Sequence, residues 1–162
     1  MRSRDLYTLG SATKVSARHS LANRQHDAKQ RQAAKAALQH PPMRLTGAMA
    51  RMVGVSLGPL GLPVHALSIM PDHVHAVLGA TDIKVEQMVR RMKQAGTVAL
   101  RRTQQVAVDQ PVWVRSGWFV YLNHDADVQR AIRYVEANPT RAGLRPQRWS
   151  CVTPWRGGNA QV

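Results

Sequence analysis

Residues 64–78 constrain the fold more than any other stretch, because two runs of strand length, 64–70 and 73–78, are separated only by Pro71-Asp72. A join that short makes the runs adjacent and antiparallel. Alternation along the second run puts His73 and His75 on one side, and Val74, Ala76 and Leu78 on the other. The apolar side has to be covered, which predicts helices packed on one face of a sheet. The other face then carries two imidazoles on a stiff backbone. Neutral imidazole is a common metal ligand, although two polar residues on the wet face of a half-buried strand show the same alternation.

The flanking sequence extends this hairpin into a pattern. Residues 43–47 read as a brief first strand, and the helix after it has Met49, Met52, Val53 and Leu57 on its apolar face until the Gly- and Pro-rich residues 58–63 break it. Residues 84–102 form a longer helix with Val85, Met88, Val89, Met92, Ala95 and Ala99 in one stripe. Residues 112–122 are expected as a further strand or bulged strand. A last helix over 125–137 starts with Asp125 and Asp127 at the positive end of its dipole and ends at Asn138-Pro139. Strand, helix, strand, strand, helix, strand is the split βαβ order of ferredoxin-like folds. The predicted class is therefore α+β, with a C-terminal helix and a free sheet face for His73 and His75.

Charge points to the partner. Among 162 residues, 23 are Lys or Arg and 9 are Asp or Glu, a formal net charge of +14. A small chain this basic suits a polyanion, and arginine-rich surfaces favour bidentate phosphate contacts. The outer face of the 84–102 helix supplies Arg90, Arg91, Lys93, Arg101 and Arg102 as candidate DNA contacts, and Arg141 is read as another. Cys151 is the single cysteine, which excludes an intramolecular disulfide and a thiolate zinc site. No apolar run is long enough to span a bilayer, so no membrane partner is expected and the cytoplasm fits. Residues 1–41 read as a basic N-terminal arm. Its one short helix has Gln30, Ala33, Ala34, Ala37 and Leu38 at helical spacing and stops at Pro41-Pro42.

On the last helix Val128, Ala131, Ile132 and Val135 make a narrow apolar stripe. Tyr134 lies off its edge, on the side shared with Asp127 and Asn138. Tyr134 and Asn138 are four apart, so phenol and amide stack on one flank if the helix continues. Half-buried packing for Tyr134 and helix closure for Asn138 are the alternatives.

The segment Met70-Pro71-Asp72-His73-Val74-His75, the basic helix, and then Arg133-Tyr134-Val135-Glu136-Ala137-Asn138-Pro139-Thr140-Arg141-Ala142-Gly143 together resemble the HUH single-tyrosine transposases. The REP-associated tyrosine transposases are the branch most resembled. The resemblance covers residues 43–155, including Trp149 and Trp155, and implies a catalytic domain over 42–155 with 156–162 as a tail. By resemblance, His73 and His75 are metal ligands, Asn138 the third ligand and Tyr134 the nucleophile, with Mg or Mn as the divalent metal. The implied activity is nicking and strand transfer of single-stranded DNA at hairpin-bearing ends, through a 5′-phosphotyrosine.

Tyr121 is a second tyrosine but lacks an Asn four residues on, and neither Asp72 nor Glu136 has a defensible position as a base. The alternative functions are a catalytically inactive, domesticated nucleic-acid-binding protein and an HUH nickase for replication or plasmid transfer. Monomer with the tyrosine in cis and homodimer with it in trans both remain open.

Overall fold

The computed structural model describes Tyr7–Thr8 and residues 43–114 and 117–157. Its elements are β1 (Tyr7–Thr8), α1 (Gly47–Leu57), a 3-10 turn (Gly58–Leu60), β2 (Val64–Ile69), β3 (Val74–Leu78), α2 (Val85–Arg102) and α3 (Asp125–Arg141). The hairpin forms as the sequence requires: Met70 N–H donates to the His73 carbonyl at 2.8 Å, and Ser68 faces His75 across the antiparallel pair. A register shift between Val64 and Ala66 leaves His65 as the extra residue of a bulge at the start of β2.

The sheet order is β1-β3-β2, and β1 pairs antiparallel with β3. On one face α1 and α2 bury Val53, Leu57, Met88, Met92 and Leu100 against Leu67, Ile69, Ala76 and Leu78. On the other face α3 buries Val128 and Val135 against Ala66 and Val77. Full burial of side chains of this size stabilises by about 1.5–3 kcal/mol each. The molecule is therefore α+β, a sheet between two helical layers, with the C-terminal helix carrying Tyr134.

Four local expectations are corrected. Residues 43–46 are not a strand. Thr46 is instead the N-cap of α1, accepting from Met49 N–H, while Leu45 N–H donates to the Pro71 carbonyl. The strand that does pair beside β3 is Tyr7–Thr8, within the expected arm. The arm's expected helix over 25–40 lies outside the described residues. Between 111 and 122 the described backbone has only single bridge positions at Trp118 and Tyr121. The buried stripe of α2 passes through Gly96 and Leu100 rather than Ala95 and Ala99, because Gly96 admits Val53 and the Trp113 ring.

The fourth correction concerns the end of α3, which continues through Pro139 to Arg141. Pro139 lacks an N–H but is itself deeply buried. Beyond it Leu144 N–H donates to the Pro139 carbonyl, Gly143 N–H donates to the Thr140 carbonyl, and Gly143 has φ +72. That is a Schellman ending, and it sets the terminus at the glycine rather than the proline.

The C-terminal segment closes the outer edge of β2. The Gln147 side-chain amide donates to the Ile69 carbonyl and accepts from Ile69 N–H, both at 2.8 Å, so it substitutes for a strand neighbour. Val152 bridges Val64, and Thr153 N–H donates to the Val64 carbonyl. Trp149 packs against the first core and Trp155 against the second. Among the described residues no helix is long and apolar enough to cross a membrane.

Candidate active site

The turn and β3 fix the histidines. His73 closes the turn and His75 lies one pleat further on, so their rings meet edge to face with centroids 4.6 Å apart. His75 lies on the same face as Val77, beneath α3, and is 9% exposed. Tyr134 comes over from α3, its ring 5.6 Å from that of His75 and 49% exposed. Tyr121 is also exposed, on the segment between α2 and α3; the Tyr134 ring meets His75 edge to face. Three aromatic side chains separated by sixty residues of sequence thus meet within one chain.

His73 Nδ1 lies 2.7 Å from Asp72 Oδ1. An ionised carboxylate only accepts, so Nδ1 carries the proton and Nε2 is left to bind a ligand. Burial would push the Asp72 carboxyl up, yet the hydrogen bond and charge of His73, with Arg44 further off, outweigh it and hold the carboxyl below its ordinary value. Asp72 had no role in the sequence. Its adjacency to His73 was visible, but only the turn conformation aims the carboxylate at the ring.

Asn138 sits one turn after Tyr134 on α3, and its Nδ2 is buried with no hydrogen-bond partner. A half-turn of the carboxamide exchanges nitrogen for oxygen, replacing an orphaned donor with an acceptor suited to a cation. Among the described residues no group of three or more His, Cys, Asp or Glu could hold a metal ion. The imidazoles of His73 and His75 on the turn and β3 and the carboxamide of Asn138 on α3 are side-chain types that can donate to a divalent ion.

The basic residues divide between the two faces of the molecule. Arg90, Arg91, Arg101 and Arg102 are exposed on α2, which lies behind the sheet relative to Tyr134. Lys93 is half-buried, and its ammonium donates to the Val114 carbonyl at 2.8 Å. Burial pushes that ammonium's pKa down. Arg141 is at the site itself, its guanidinium carbon 5.7 Å from the centre of the Tyr134 ring. The same exposed ridge of α3 carries Arg130 and Arg133. Their spacing from Arg141 is helical, a signal present in the sequence and passed over in favour of α2.

The model of the family described as "Transposase IS200 like" matches residues 49–138. No curated protein matches the chain. A solved structure of a REP-associated tyrosine transposase bound to a REP hairpin is similar, with a TM-score of 0.49 and 14% identity, over 88% of this chain and 70% of that one. The family match spans more than half of the chain and takes in both histidines, Tyr134 and Asn138, so the chain belongs to the IS200-like transposase family.

Proposed function

We propose that this transposase cleaves and rejoins single-stranded DNA at hairpin-bearing ends, with Tyr134 as nucleophile. The observation that carries this reading is the approach of Tyr134 to the His73–His75 pair within one chain, which also favours a tyrosine acting in cis. The phenol oxygen attacks the scissile phosphorus in line, forming a P–O bond to tyrosine. The bond from phosphorus to the 3′ oxygen breaks, the phenol gives up its proton, and the departing 3′ oxygen takes one up. A 5′-phosphotyrosine and a free 3′-hydroxyl result, so the reverse attack by another 3′-hydroxyl joins DNA without a further energy source.

His73, His75 and Asn138 are the residues that would hold Mg or Mn. Such an ion supplies Lewis-acid polarisation of the phosphate. The chain's own groups do the rest: Asp72 fixes the His73 tautomer, and Arg141 places positive charge where the phosphate and phenolate develop negative charge.

The test is incubation with Mn and a labelled single strand carrying a hairpin, followed by a denaturing gel. A protein–DNA adduct is expected from the native chain and none from Tyr134→Phe; equal adduct from both rejects the assignment. Hairpin binding that survives chelator and His73→Ala/His75→Ala unchanged, with no adduct from the native chain, would instead identify a non-catalytic binding protein.

A further inference from the structure

On the flank of α3 opposite Tyr134 is an open cavity of about 420 Å³. Gln129, Ile132, Arg133 and Glu136 line it from α3, and His65 and Trp155 from the β2 bulge and the C-terminal segment. We propose that this cavity receives one unpaired base of the DNA strand held at Tyr134. The inference rests on the single-stranded DNA substrate proposed above and extends it to a second contact.

The cavity has the chemistry of a base site. The His65 and Trp155 rings meet edge to face at 5.0 Å, and His65 Nδ1 donates to the Thr153 carbonyl at 3.1 Å, which holds the imidazole in place. Gly79 makes this possible, since a Cβ there would fall 2.8 Å from His65 Nε2. An aromatic wall with an Ile132 floor offers a stacking surface, and every base has a π-face to lay against it. Gln129 and Glu136 supply hydrogen-bonding groups for a base edge. Arg133 and Glu136 place one charge of each sign at the cavity, which suits a neutral base with donors and acceptors on its edge better than a phosphate.

Charge provides the route between the two flanks. Tyr134 and Asn138 lie on one side of α3 and the cavity residues on the other, separated by about one helix diameter of 10–12 Å. The exposed ridge between them carries Arg130, Arg133 and Arg141. A strand anchored at the phenol can cross that ridge with its phosphates on arginine and its next bases turned toward the cavity.

The test is fluorescence anisotropy of the full chain carrying Tyr134→Phe, so that binding is read without cleavage. The probes are hairpin oligonucleotides with a single-stranded extension, each with one unpaired nucleotide made abasic. One abasic position is expected to weaken binding about tenfold, and to cost less than about twofold when Trp155→Ala is also present. Because Trp155 also packs on the second core, the measurement is repeated with Gln129→Ala/Glu136→Ala, both exposed, where the same abasic penalty should shrink. Equal penalties in all chains at every position overturn the cavity assignment. Failure of the unmodified probe to bind overturns the DNA reading as well.

Discussion

At the scale of single residues, the arrangement around His73 is the most testable feature. The carboxylate of Asp72 holds the His73 ring at 2.7 Å, and for the ligand role proposed for His73 a carboxylate so placed is typically worth 10–100-fold in metal affinity or activity. Asp72→Asn should therefore weaken Mn binding by roughly that factor while leaving the far-ultraviolet circular dichroism unchanged; titration calorimetry reads the first and the spectrum the second. Asp72 also has a defined pH signature. Its folded pKa lies below the ordinary carboxyl value, so the unfolded chain binds more protons in that range. The stabilisation is complete above the unfolded value and is lost as pH falls through the folded one. Acid unfolding curves of the native chain and Asp72→Asn should thus be separate at pH values above the unfolded carboxyl range and converge as pH falls through the folded one. The side chain is more than half exposed, so the separation will be small.

At the scale of elements, α3 shows how a local rule is overridden. Asn138-Pro139 is a stop signal in sequence, because proline disfavours helix in the residue before it and removes a donor. In the fold Pro139 is fully buried, and the Schellman bonds from Leu144 and Gly143 satisfy the Pro139 and Thr140 carbonyls. The continuation carries Arg141 about two turns beyond Tyr134, where its guanidinium lies over the phenol ring. Gly143→Ala forces a Cβ into φ +72 and should destabilise by about 1–2 kcal/mol, measured by urea unfolding. Because the frayed turn holds Arg141, adduct formation should fall by more than the loss of folded protein explains. Helix α1 shows a different constraint. A Cβ at Gly54 would overlap the Trp149 ring, so Gly54→Ala should cost about 1–3 kcal/mol by overpacking.

At the scale of the whole molecule, the two helical layers divide the positive charge. Residues Arg90, Arg91, Arg101 and Arg102 are on the layer behind the sheet, whereas Arg130, Arg133 and Arg141 are on the layer that carries the tyrosine. For a short single-stranded oligonucleotide, Arg130→Ala should lower the slope of log affinity against log salt by about one. Arg90→Ala/Arg91→Ala should leave it unchanged. The reverse result in anisotropy titrations over a salt series would place the strand on α2.

The hairpin, the amphipathic course of α2, the pairing of His73 with His75 and the Tyr134–Asn138 spacing were all legible in the sequence, because each depends on a periodicity of two or of about 3.6 residues that the backbone imposes locally. Pairing between distant segments leaves no such period. Tyr7–Thr8 rather than 43–47 borders β3, Gln147 and Val152 close the edge of β2, and α3 covers the face that bears His75. Only three-dimensional packing could bring Tyr134 to the imidazoles and set the His65–Trp155 cavity on the other flank of the same helix. Those contacts depend on which surfaces are left to bury once the local elements exist, and no short stretch of residues records that.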